Sequence, residues 1–291
     1  MPEFRENNIT IDAHHHLWRY SVDEYDWIDD RMEMLRRDFS VADLVLETAS
    51  AGVDHTIIVQ ARQSVEETRE LLALADSDEL IVGVVGWLPL TDPTRLAWAL
   101  QTWGNHRAMI GLRHVLQSEP AGFLRRRDFN QGISSLKQYD LAYDLLILAD
   151  QLPEAIEFVD THPEQRFILD HLAKPRIAPG EMEPWRSNLR RLAERSNVWC
   201  KISGLATEAD WVQWSPTILE PYLDAAVEAF GLGRLIAGTD WPVCLVACRY
   251  ARWWQVLREY FAAFTPEEQA GVFGRNAIDA YQLSSLSARH P

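Results

Sequence analysis

The chain has 291 residues, of which 47% are hydrophobic and 24% charged, an ordinary globular composition long enough to bury one large core. Its length is near the ~250 residues of a single α/β barrel, so one domain over residues 1–291 is expected rather than two small ones. The formal charge of −15, from 28 basic and 43 acidic residues, excludes a nucleic-acid partner, which needs a basic face to neutralise phosphates, and suits a soluble cytoplasmic enzyme.

The opening MPEFRENNIT has neither an apolar core nor a basic run, so no signal or transit peptide is expected. Short runs rich in Val, Ile and Leu then alternate with longer amphipathic segments, as repeated strand–helix units around a buried parallel sheet do. Eight strands are predicted, near residues 9–13, 55–60, 80–87, 109–115, 141–148, 166–170, 197–202 and 234–239. The most apolar stretch, residues 81–90, is about half the ~20 residues that span a bilayer, so no membrane role follows.

Helix starts are predicted at Ser64 with Glu67 as a capping box, at Asp92 before Pro93, and at Thr265 with Pro266 and Glu268. Gly52 and Gly104 fall where helices should stop. Two long connections stand out, residues 117–137 and 174–185. Cys200, Cys244 and Cys248 are an odd number without a second close pair, and are expected to be reduced thiols rather than disulfides or a structural zinc site. No GxGxxG follows the first strand, which argues against a doubly wound dinucleotide-binding sheet and for a (β/α)8 barrel with its site at the C-terminal strand ends.

Polar residues do collect at those ends: Asp12-Ala13-His14-His15-His16 on strand one, Arg113-His114 on strand four, Asp170-His171 on strand six and Thr239-Asp240 on strand eight. Residues two apart in a strand point the same way, so His14 and His16 can share a metal or a substrate oxygen while His15 packs outward. His55, His106, His162 and His290 are read as structural. Asp240 could be an Asx-turn residue before Trp241-Pro242. In a closed barrel, however, strands one and eight adjoin, and a carboxylate beside two imidazoles suits a general base or a metal ligand.

His171 could be catalytic or simply bind a loop carbonyl, and Lys174, before Pro175, could aim an ammonium at a ligand or lie in solvent. Only one of Arg113 and His114 can face inward, and Arg113 is preferred because its fork matches a carbonyl or carboxylate oxygen. Trp18, Trp87 and Trp241 are candidates to stack on a sugar ring, with packing as the alternative.

The segments IDAHHHLW (11–18), GLRHV (111–115), FILDHLAKP (167–175), VWCKISGL (198–205), GTDWPVC (238–244) and FGRNA (273–277) together resemble the amidohydrolase superfamily, in its branch of sugar-acid and pyrone dicarboxylate lactonases. The resemblance covers nearly the whole chain. It implies that His14 and His16 are the strand-one HxH pair, His171 the strand-six histidine and Asp240 the strand-eight aspartate. On that reading Asp240 takes a proton from water while the histidines, with or without a metal, polarise a carbonyl.

The strand-four lysine and strand-five histidine of two-metal members are absent. At most one ion, zinc on His14, His16 and Asp240, is therefore expected, and no cofactor is required. The expected substrate is a neutral aldonolactone of the fucono- or rhamnono-type, a small molecule on which the enzyme acts, and the chain could form homo-oligomers. A pyrone dicarboxylate lactonase, a single-metal carboxy-lyase and a non-catalytic sugar-acid binding barrel are the alternatives.

Overall fold

The structure is a computed structural model and describes residues 9–283. Eight parallel strands follow one another in chain order: β1 (Ile11–His15), β2 (His55–Val59), β3 (Ile81–Gly86), β4 (Met109–His114), β5 (Ala142–Leu145), β6 (Phe167–Leu169), β7 (Val198–Ile202) and β8 (Leu235–Ala237). The ring closes just beyond β8. There Asp240 N donates to His14 O at 2.7 Å, His16 N donates to Trp241 O at 2.6 Å, and His15 bridges Trp241 in parallel. With helices between the strands, this is a (β/α)8 barrel, and each of the eight predicted strands overlaps an observed one.

The helices begin where local chemistry starts them. Asp92 and Thr265 cap the helices Pro93–Trp103 and Pro266–Ala270, the latter as a full capping box. The box expected at Ser64 forms only by half. Ser64 accepts from Glu67 N, but the Glu67 carboxylate turns inward to accept from the Ala61 and Arg62 amides at 3.1 and 2.8 Å. Those loop amides would otherwise be orphaned, whereas the Ser64 N–H finds a partner of its own, donating to Arg62 O at 2.9 Å. Gly52 ends its helix at φ 65°, whereas Gly104 is right-handed; its absent side chain makes room for Tyr139, which a Cβ would meet at 2.4 Å.

The barrel interior has two layers. The lower one is apolar, including Ile11, Ile57, Val85, Ile110, Ile168 and Ile236, and is plugged by the segment from Ala277 to Leu283. Above it, period-two alternation puts Asp144, Asp170 and Lys201 inside, all at 0% exposure. No helix among the described residues is long and apolar enough to cross a membrane.

Candidate active site at the C-terminal end of the barrel

The β1–β2 register shifts between Asp12 and His15. Beyond the shift His14 and His16 turn toward the interior, while His15 points outward, its Nε2 3.0 Å from Thr56 Oγ1. A single oxygen then gathers three imidazoles: Asp240 Oδ1 lies 3.7 Å from His14 Nε2, 3.3 Å from His16 Nε2 and 4.0 Å from His171 Nε2. Burial by itself raises the Asp240 carboxyl, but His171, His16 and His14 outweigh it and hold the group well below the usual carboxylate range.

The hydrogen-bond network assigns the tautomer of His16. His16 Nδ1 donates to Val59 O at 2.7 Å, which leaves the Nε2 lone pair facing Asp240. Two acceptors at 3.3 Å call for a proton or a cation between them. His14 has a guanidinium on one side, with Arg113 Nη1 3.2 Å from Nε2, and Asp170 Oδ1 3.3 Å from Nδ1 on the other. Burial keeps His14 neutral, and Lys201 Nζ also lies 3.2 Å from its Nδ1. His171 is held by Ser203 Oγ at 3.0 Å from Nδ1 and is pushed down to about 4, chiefly by burial.

His171 opens a turn of four consecutive left-handed residues, His171 to Lys174, with φ of 51°, 53°, 58° and 50°. Each costs an L-residue roughly 1–2 kcal/mol, so this turn is held by its surroundings rather than by local preference. Leu172 and Ala173 are fully buried, and Trp185 Nε1 donates to Leu172 O at 2.7 Å. The opposing Gly204, at φ 66°, is required there: a Cβ would lie 2.7 Å from His171 Nδ1.

These groups form the floor of a cavity of about 520 Å³ lined by His16, Arg113, His171, Lys174 and Asp240 together with Arg62, Gln63, Gln117, Glu208 and Trp211. Its further wall comes from the excursion between β1 and the helix Val41–Ala51, which supplies Glu24, Asp26, Trp27 and Met32.

Four candidates lie elsewhere. His114 points to the helix layer, accepting from Trp87 Nε1 at 3.2 Å, pairing with Glu119 at 2.7 Å and stacking on Phe123. Trp87 is committed to that contact. Trp18 and Trp241 are buried against Phe39, Trp18 in an aromatic cluster with Tyr25 and Trp27. Strand ends point outward as often as inward, and large apolar rings follow the core. The tryptophans on the cavity wall are instead Trp27 and Trp211.

The charged layer beneath the site went unread in the sequence. Lys201 Nζ lies 2.5 Å from Asp144 Oδ2, 3.1 Å from Asp170 Oδ1 and 3.2 Å from His14 Nδ1, while Tyr281 donates to Asp144 at 2.7 Å. A lysine inside VWCKI and an aspartate inside AYDLL, each in a fully buried strand, were the available signals. Of the structural histidines, His55, His106 and His162 make ordinary contacts to Glu79 O, Asp76 and Asn130; His290 lies outside the described residues. The three cysteines are free, and none joins a metal-ligand cluster among the described residues.

His14, His16 and Asp240 bring three ligand atoms within 4.8 Å of one another. Two imidazoles and a carboxylate are chemically suited to zinc with an open position, and the facing lone pairs of His16 and Asp240 fit a cation. His14 fits less freely, because Arg113 already occupies its Nε2.

Comparison with known proteins agrees with this architecture. The sequence profile of the amidohydrolase family matches residues 11–283. An L-fucono-1,5-lactonase of Burkholderia multivorans is 36% identical over 287 residues, covering 94% of this chain and 96% of the relative. A second L-fucono-1,5-lactonase, of Burkholderia ambifaria, is 34% identical, covering 95% and 97%. The crystal structure of an amidohydrolase from Burkholderia multivorans with bound zinc superposes with a TM-score of 0.91 at 36% identity, covering 94% of this chain and 99% of that one.

Proposed function

The chain belongs to the amidohydrolase family, and on that footing we propose that it is a hydrolase opening the ester ring of a sugar-acid lactone, an aldonolactone of the fucono- or rhamnono-type, with water activated at Asp240. The observation that carries this reading is one ionised carboxylate oxygen facing three imidazole Nε2 atoms on the floor of a cavity sized for a small ring. The similarity to two fuconolactonases supports the substrate class.

A lactone carbonyl needs a polarised oxygen, a positioned water and an acceptor for the water's proton. Arg113 lines the cavity and keeps a buried Nε–H without a partner, so its guanidinium supplies the positive charge that an oxyanion requires. Asp240 accepts the proton and returns it to the ring oxygen as the tetrahedral intermediate collapses. His171, fixed by Ser203, and His16, fixed by Val59, hold the water between them. A single zinc ion on His14, His16 and Asp240 would supply Lewis-acid polarisation when bound.

Charge favours a neutral substrate. Each cation of the cavity wall already faces a carboxylate: Arg62 pairs with Glu24, Lys174 with Glu208 at 3.7 Å, and Arg113 with Asp170 at 3.1 Å. Binding a pyrone dicarboxylate would require breaking those pairs. In a pH-indicator assay we expect neutral aldonolactones to turn over faster than aldarolactones or pyrone dicarboxylates, with activity persisting after chelation and at most one ion per chain by elemental analysis. Turnover of dicarboxylates alone, or carbon dioxide release from benzoate-type acids, would reject the lactone reading. Complete, reversible loss of activity on chelation would reject its metal-optional part.

A further inference from the structure

The geometry points to Arg113 as a built-in competitor of the metal: its guanidinium occupies the ring nitrogen of His14 that a divalent ion in this site needs. His14 Nε2 is the ring nitrogen on the Asp240 side, 3.7 Å from Asp240 Oδ1, and Arg113 Nη1 lies 3.2 Å from it. The same Nη1 is 3.1 Å from Asp170 Oδ2, and Nη2 donates to Gln60 O. Three acceptors from β1, the end of β2 and the end of β6 thus fix a planar fork that has no freedom to swing aside without breaking all of them.

Arg113 is 4% exposed, so it enters this arrangement with its charge desolvated, and a second cation beside it meets little solvent screening. A metal on His14, His16 and Asp240 must therefore displace a charge-assisted hydrogen bond and sit next to a guanidinium. The other ring nitrogen offers no way out, because Nδ1 faces Asp170 and Lys201 inside the sealed layer. The ligand triad is consequently weaker toward zinc than its residue types imply, and Arg113 sets how weak. This affinity for the ion does not depend on which reaction the site catalyses.

The test is zinc affinity, measured by chelator competition and by equilibrium dialysis with elemental analysis, on the purified full chain. Arg113→Met frees His14 Nε2 and is expected to bind zinc about 10- to 100-fold more tightly than the parent, the worth of one hydrogen bond to a charged group. Lys174→Met removes an equal charge from the cavity wall without touching His14, and its affinity is expected to stay within about twofold of the parent. Unchanged or weaker affinity in Arg113→Met would overturn the inference, as would equal tightening in Lys174→Met, which would make the effect one of net charge. If Arg113→Met fails to fold, Arg113→Lys serves instead. Its single ammonium cannot span Asp170, Gln60 and His14 together, so it too must bind zinc more tightly than the parent; unchanged affinity there overturns the inference equally.

Discussion

An Asp240→Asn protein is expected to fold normally and to lose about 10²- to 10⁴-fold in kcat on its best lactone, with a smaller change in KM, as removal of a general base does. The fold should survive for a local reason. Asp240 sits at φ 61°, a conformation that asparagine tolerates as well as aspartate does, and its backbone bonds to His14 O and from Cys244 N involve no side-chain atom. What the amide cannot do is accept a proton. The three imidazoles around Oδ1 keep the parent carboxylate ionised across the neutral range, so the base is always available although intrinsically weak. Lactone turnover with circular dichroism as the fold control checks this. Near-parental kcat in a folded variant would move the base to His171, which is neutral at pH 7.

Lys201→Met is expected to destabilise the barrel by about 3–5 kcal/mol at pH 8, the usual cost of removing one partner from a buried ion pair, and to lower Tm by on the order of 10 °C. The lysine is fully buried between Asp144 and Asp170. Asp170 retains Arg113 after the substitution, but among the described residues Asp144 keeps only the hydroxyl of Tyr281. Burial already raises Asp144 to about 6 with the lysine opposing it, and without the lysine it rises further.

The pH dependence follows from that sign. A carboxyl whose folded pKa lies above its unfolded value of about 3.9 contributes stability that is fully present below that value and is lost as pH rises through the folded pKa. The deficit of Lys201→Met relative to the parent should therefore shrink between pH 8 and pH 5 as Asp144 takes up its proton. Thermal melts at both pH values test this. A deficit that does not change with pH would mean that packing, not charge, is what the substitution removes.

The sequence by itself determined the barrel, because its strands are short apolar runs whose period and spacing are local properties, and because GTDW and IDAHHH announce polar strand ends regardless of what lies opposite. It determined equally that His14 and His16 share a face, since alternation along a strand needs no partner. The choice between Arg113 and His114 was also open to argument from residue chemistry.

Only the tertiary structure decided the rest. Trp18 and Trp241 pack on Phe39, and His114 on Phe123, because contacts between distant segments select which side of a strand end meets the core. The wall carrying Trp27, and the left-handed turn that presents His171 and Lys174, have no local signature: the turn runs against every residue's intrinsic preference and exists only because Gly204 leaves room and Trp185 ties down Leu172. The layer of Asp144, Asp170, Lys201 and Arg113 is the clearest case. Each charge alone looks misplaced in an apolar strand, and only closure of the sheet brings four strands' side chains together so that each desolvated charge finds its opposite.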